Sequence, residues 1–387
     1  MNIAVNLLPF TQNLAGAGKY AKYVTENLIR ADSQNIYFLF MTESCRQHFL
    51  GIINAPNVQV VLCRFENKNV IKRIFWEQFM LPTQLQKHGI DILFTPSVAI
   101  PVAYNGVKLT SIHDVAYISQ SSKYPFLRRA YVRWITAKAA RKSDKILTLT
   151  EFSKSEIEKY LFVPKDNISV TYCGVEDAFY QPISVSTYGT VKEKYLLPDE
   201  YILYVGAIEP GKNLSAIFNI FERICNSSKN RLQLVMTAGI GWKQELILQQ
   251  IPVTIKDRIR FLPYLEESEL PVLYRLSRLV IYVSFYEGFG LPVLEAMASG
   301  VPVVASRGTS ITEFASGVAL LVDPLNEDEI FRSVDALLLN SELRNDLIRK
   351  GIERAKQYTW EKTAKTVLQV IRVCETLSTI KKNKNNK

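Results

Sequence analysis

The stretch RLVIYVSFYEGFGLPVLEAMASGVPVVAS, residues 278–306, decides the fold. RLVIYVS (278–284) is β-rich and apolar on both faces, so it reads as a strand covered on each side. Gly288 and Gly290 then flank Phe289 in a tight turn. A helix starts around Leu291, with Pro292 where a missing N–H is harmless, and stops at Gly300. VPVVAS (301–306) reads as a second doubly covered strand. Strand, helix and strand in this order specify a parallel pair joined by a helical crossover.

The same alternation extends in both directions. IAVNLL (3–8), IYFLFM (36–41), VQVVLC (58–63), DILFTP (91–96), VKLTSIH (107–113) and KILTLT (145–150) form a first series of strands. YILYVG (201–206), RLQLVMTAG (231–239) and RIRFLP (258–263) lead into the two strands above. Helical patterns lie between them at 18–31, 153–160, 213–225, 266–276 and 326–340. The expectation is α/β, with two doubly wound Rossmann-like domains. A length of 387 residues supports two cores rather than one. Periodicity lapses near 172–198, where the seam is placed, and the tail KKNKNNK (381–387) is expected to be disordered.

Composition narrows the function. Five scattered cysteines with no C-x-x-C pair read as free thiols, and no D-x-D triplet suggests a bound metal. No apolar run is long enough to span a bilayer and MNIAVNLLPF lacks the flanks of a signal peptide, so a cytoplasmic location is expected. Of the net charge of +10, residues 1–175 carry +9, with 21 Lys+Arg against 12 Asp+Glu. Residues 123–145 hold eight basic residues and one acid, interleaved with Tyr124, Phe126, Tyr131 and Trp134. Such a helix suits the inner face of an anionic membrane, or else it is an ordinary solvated helix with its aromatics on the core.

Ligands of doubly wound domains bind beyond the carboxyl ends of the strands. After YILYVG, Gly206 ends a strand and Lys212 sits in a short loop before a helix near Asn213, which makes an anion site. After RLVIYVS, Glu287 and Glu295 both reach the mouth of the strand-turn-helix unit, Glu295 from about one turn inside. First-turn N–H groups around Phe289, Gly290 and Leu291 suit a phosphate or sugar oxygen, and carboxylates suit hydroxyl groups. Together they describe a phosphorylated sugar.

The run EGFGLPVLEA, followed by GVPVVAS, resembles the signature of retaining glycosyltransferases of family 4, which have the GT-B fold. YVGAIEPGKNL (204–214), LVMTAGIGW (234–242) and ALLVDP (319–324) are similar to further parts of that family's donor domain. AGAGKYAKYVTENL (15–28), WEQFMLP (76–82), TSIHDVAY (110–117) and DKILTLTEFSKSEI (144–157) resemble its bacterial polysaccharide mannosyltransferases. The resemblance implies an acceptor-side domain over 1–178, a donor-binding domain over 179–360 and a helix at 361–380 packing back on the first domain. It implies that Glu295 holds the nucleotide ribose and that Glu287 lies at the transferred sugar. Phe289, Gly290 and Leu291, beside Gly288, would offer backbone N–H groups, with Lys212 neutralising the diphosphate next to Gly206. Where relatives carry arginine this chain has Ala207 and Gly211, and Arg307 is the candidate replacement.

GAGKYA (16–21) matches a dinucleotide fingerprint, but about eight residues separate it from the strand before, too many for that turn. Under the resemblance, Gly16 and Gly18 let backbone approach the diphosphate. His113 ends the strand VKLTSIH, and the family match at IHD places it on the transferred sugar, with Asp114 orienting nearby groups. The expected activity is transfer of a hexose, mannose by branch resemblance, from GDP-mannose or a UDP-sugar. The acceptor would be a glycan or lipid-diphosphate-linked glycan of a bacterial surface polysaccharide. No cofactor, metal or nucleic acid is called for. A GT-B sugar-nucleotide epimerase, a nicotinamide oxidoreductase and a nonenzymatic nucleic-acid binder are the alternatives.

Overall fold

The computed structural model describes residues 1–387 except 11–13, 15, 66–68, 120–125, 228–230, 238, 240–242, 264 and 386–387. It divides into two compact units. The first comprises Met1–Ser119, Pro125–Gly174 and Thr359–Lys387, and the second runs over Val175–Tyr358.

The first unit holds strands β1 (Asn2–Asn6), β2 (Ile36–Met41), β3 (Val58–Leu62), β4 (Ile92–Thr95), β5 (Val107–Ser111), β6 (Lys145–Thr148) and β7 (Ile168–Val170). They form one sheet in the order β3-β2-β1-β4-β5-β6-β7, with every pair parallel. All residues of β4 and β5 are buried, as strands covered on both faces must be. The second unit holds β8 (Tyr201–Val205), β9 (Gln233–Thr237), β10 (Ile259–Leu262), β11 (Leu279–Tyr282), β12 (Val303–Ser306) and β13 (Leu320–Val322). Its order is β10-β9-β8-β11-β12-β13, again parallel throughout. In each sheet the order reverses beside the first strand, which fixes where a ligand crevice opens.

The helix Trp360–Asn385 belongs to the first unit. Trp360 stacks on Tyr23 with ring centroids 5.3 Å apart and meets Tyr20 edge-on at 6.3 Å. A Cβ on Gly174 would lie 2.1 Å from the Trp360 backbone nitrogen, so only glycine lets the chain pass there. Helical structure also reaches into the tail expected to be disordered. Lys381 pairs with Asp144 at 2.7 Å and Lys382 with Asp91, so acids distant in sequence hold what composition alone would leave loose. Residues 386–387 of that tail lie outside the described residues.

Before β4 the chain forms a helix, Val70–Phe75, that runs through a π-helical turn, Trp76–Met80, into a helix at Leu81–Lys87. Glu77 points inward from this turn, 1% exposed, with neither carboxylate oxygen hydrogen-bonded and Arg73 Nε 3.9 Å away. Burial pushes its carboxyl up to about 7, against the pull of Arg73. The folded chain therefore keeps a proton that the unfolded chain releases near pH 4.5, and this contribution is lost as pH rises through about 7. Glu77→Gln is expected to remove that slope and to be more stable than the parent at pH 8 by up to about 3 kcal/mol. Urea unfolding at pH 5 and pH 8 checks it; an equal difference at both values would refute it.

Candidate active site

In the second unit, β8 opens into a loop pinned at both ends. Gly206 N–H donates to Thr237 O at 3.1 Å, and Tyr204 OH donates to Ala207 O at 2.9 Å. A 3-10 turn, Pro210–Lys212, follows, and Asn213 takes a left-handed φ of +56° before the helix Leu214–Ser227. The loop after β11 is tied to it by Phe285 N–H donating to Gly211 O at 3.0 Å. Two strand-end loops thus form one surface, and the side chains of interest meet there.

Lys212 Nζ lies 2.7 Å from Glu287 Oε1, 3.2 Å from Tyr282 OH and 3.9 Å from Glu209 Oε1. The side chains of Lys212 and Glu287 are 15% and 11% exposed. Burial pulls the ammonium pKa down, but Glu287 outweighs it and holds Lys212 charged, well above its ordinary value. Tyr282 is stacked 6.3 Å from Tyr204, and burial raises both phenols. The basic loop and the first of the two acids are therefore one electrostatic unit.

The turn after Glu287 is set by its surroundings. Ser310 Oγ donates to Glu287 O at 2.8 Å and to Phe289 O at 3.1 Å, and the Phe289 ring stacks on Phe314 at 5.1 Å. Gly290 has a φ of +96°, and a Cβ there would lie 2.7 Å from Ile311 Cγ1, so both backbone and space require glycine. The helix Leu291–Ala298 starts immediately after, with Pro292 in its first turn. Pro292 brings no N–H and Val293 N–H donates to Gly290 O at 3.0 Å, so what this end presents to the mouth is the turn before it and the partial positive charge of the helix start. Glu295, 4% exposed, accepts from Tyr274 OH at 2.9 Å; burial raises the Tyr274 phenol and the Glu295 charge adds to it. The arrangement offers one ammonium, two carboxylates, Glu287 held by Lys212 and Glu295 by Tyr274, and a helix N-terminus, which together can grip both an anion and hydroxyl groups.

Tyr274, Tyr282 and Ser310 were not legible as site residues. A tyrosine inside LVIY counts as core by pattern, and only its place at the end of β11 distinguishes it. Arg307, just after β12, pairs with Glu329 at 3.0 Å and donates to Leu321 O at 3.2 Å. The glycine turn after β9 lies partly outside the described residues, at 238 and 240–242. Among the described residues there is no group of three or more His, Cys, Asp or Glu that could hold a metal ion.

In the first unit His113 follows β5, packed edge-on against Tyr20 at 4.8 Å. Its Nε2 is buried with no hydrogen-bond partner, and burial pushes the imidazole down to about 4, so it is neutral at pH 7. Asp114 Oδ1 accepts from Ala116 N–H at 2.9 Å and shapes the turn. Gly16 is exposed at the head of the helix Ala17–Ala31 with φ +45°. Gly18 is buried, and a Cβ there would lie 2.9 Å from the Leu14 side chain, so its size serves local packing. In the basic helix Phe126–Lys142, Trp134 is 47% exposed, so this aromatic faces solvent and not the core.

With this geometry in place, comparison with known proteins agrees across most of the chain. Residues 190–354 match the family model for glycosyl transferases group 1, and residues 14–179 match that for glycosyltransferase family 4. The chain is similar to O-antigen chain mannosyltransferase B of Escherichia coli, 32% identical over 255 residues, 65% of this chain and 67% of that one. It is also similar to O-antigen chain mannosyltransferase RfbU of Salmonella typhimurium, 27% identical over 315 residues, 80% and 82% of the two chains. Among solved structures, HepE of Anabaena in complex with UDP-glucose superposes with a TM-score of 0.75 at 13% identity, covering 96% of this chain and 100% of that one. The epimerase alternative draws no support from these relatives.

Proposed function

The chain belongs to glycosyltransferase family 4 and has its GT-B fold, and on that basis we propose that it transfers mannose from GDP-mannose, with retention, to a surface-polysaccharide glycan. The observation that carries this reading is the Lys212–Glu287 pair, 2.7 Å apart at the strand-end mouth beside the Gly288–Leu291 turn. A donor diphosphate would draw the Lys212 ammonium, leaving Glu287 to face the hexose hydroxyls. Glu295, held by Tyr274, would accept from the ribose hydroxyls. The turn at Phe289, Gly290 and Leu291 would hold phosphate and sugar oxygens.

In this mechanism the acceptor oxygen attacks the anomeric carbon from the side the diphosphate leaves. The bond from that carbon to the leaving oxygen breaks as the new glycosidic bond forms, and the acceptor proton passes to the departing phosphate oxygen. No enzymic nucleophile and no metal take part. Neutral His113, with its buried unpartnered Nε2, would hydrogen-bond the transferred sugar. The basic first unit suits a lipid-diphosphate-linked acceptor at a membrane surface. No described helix is long and apolar enough to cross a membrane.

A thermal-shift panel with EDTA present throughout tests donor and metal together. GDP-mannose at 100 times its dissociation constant is expected to stabilise the protein by about 2.7 kcal/mol. Selective stabilisation by UDP-glucose, UDP-galactose, UDP-N-acetylglucosamine or dTDP-rhamnose would overturn the assignment of the donor. The relation of HepE to UDP-glucose makes the UDP-sugars the informative competitors.

A further inference from the structure

In the first sheet the strand order reverses between β1 and β4, so the loops that leave these two strands flank its crevice. Asn6, at the end of β1, ties them together: its Nδ2 donates to Ala99 O at 2.9 Å and its Oδ1 accepts from Leu8 N–H at 3.2 Å. One short segment grips both loops. From the helix Val70–Phe75, Arg73 Nη1 donates to Pro9 O, 3.4 Å away in the loop after β1. From the π-helical turn Trp76–Met80, Gln78 donates to Ile100 O at 2.8 Å and accepts from Val102 N–H at 2.9 Å, in the loop after β4. A single π-helical turn within helix is rare and is found frequently at functional sites.

The brace has an unclosed charged pair at its centre. Both carboxylate oxygens of Glu77 and the Nε of Arg73 are buried without a hydrogen-bond partner, although Oε2 and Nε lie only 3.9 Å apart. Arg73 is the charge that bears on Glu77, and Tyr131 of the helix Phe126–Lys142 is the titratable group on which both of them act. An ionised carboxylate would close that gap to a charge-assisted contact of about 2.8 Å. The guanidinium is one rigid plane, so closing it moves the same group that holds Pro9. The bond to Pro9, at 3.4 Å and to a neutral carbonyl, is the weaker of the two. We propose that Glu77 is a positioning residue for glycosyl transfer: when neutral it leaves Arg73 on Pro9 and the loop after β1 in place, and when ionised it takes the guanidinium and releases that loop. This rests on the transfer reading, in which the chain beyond Pro9 brings Gly16 to the donor diphosphate.

The test is the KM for the sugar nucleotide that the thermal-shift panel selects, measured with the full chain at pH 6 and pH 8. Burial puts the Glu77 carboxyl at about 7, so the acid is neutral at the lower pH and ionised at the higher. The parent KM is expected to rise roughly three- to tenfold between them, the worth of one hydrogen bond. Glu77→Gln, whose amide stays neutral, is expected to hold the low KM at both values, and Arg73→Gln the high one. The kcat ratio between the two pH values should be the same in the parent and in Glu77→Gln, a split that a merely structural role would not produce. A parent KM with the same pH course as that of Glu77→Gln would overturn the proposal. The Arg73 Nε–H resonance, identified by its loss in Arg73→Gln, tests the pair without any donor: it is expected to move with a midpoint near pH 7 in the parent and to stay fixed in Glu77→Gln. A resonance that does not move refutes the closure of the pair. If it moves and no sugar nucleotide binds, the switch stands and the failure falls on the transfer reading.

Discussion

Glu287→Gln is expected to cut the turnover of glycosyl transfer on the order of 10³-fold while the protein stays folded. The reason is the position of its carboxylate, 2.7 Å from the Lys212 ammonium at the mouth of the second unit. A charge there contributes most where charge develops during transfer, and glutamine keeps the shape without it. The neutral amide also retains a hydrogen-bond acceptor for Lys212, which still has Tyr282 OH at 3.2 Å. Glu287→Ala should lose as much activity but also destabilise, because a buried ammonium stripped of its partner costs up to about 3–5 kcal/mol. Steady-state kinetics with saturating donor, read beside the melting temperature, separates the two effects. Near-normal turnover in the glutamine variant would remove Glu287 from the chemistry.

Lys212→Ala is expected to act on donor binding first. Truncating one partner of a buried charged contact typically costs about 2–5 kcal/mol, which is roughly 30- to 4,000-fold in affinity for the nucleotide-sugar. Ala207 and Gly211 bring no second cation to this loop, and Arg307 is paired with Glu329. The variant also leaves Glu287 buried without its ammonium, which repels an incoming diphosphate. Isothermal titration with GDP and with GDP-mannose reads the loss directly. A donor dissociation constant within about threefold of the parent would show that the phosphates are balanced elsewhere.

The sheets were legible because their strands carry a pattern that water does not tolerate. IYFLFM, LVIY and VVAS are apolar on both faces, and β2, β11 and β12 sit within the stretches read from them. β7 was not legible: three residues, Ile168–Val170, at a sheet edge are too few to show a period. The glutamates were legible as mouth residues because helix geometry fixes where they stand. Their partners were not, since the contacts of Glu287 with Lys212 and of Glu295 with Tyr274 span 75 and 21 positions. Ser310 shows the same limit, holding the Glu287 turn by its backbone from 23 residues away. Local sequence places a residue on a loop or a helix; which groups it meets there is decided by the packing of strands.

The first unit is discontinuous along the chain, and synthesis is not. At about 5–20 residues per second, the 184 residues of Val175–Tyr358 take on the order of 10–40 s to emerge from a ribosome. For all of that time the sheet carrying His113 waits without the helix that follows Tyr358. Tyr20 and Tyr23 lack the indole that covers them, and the glycine at 174 has nothing to pass. The unit begun first is the last to close, since the residues that complete its packing are made only after the whole of the second unit has been synthesised.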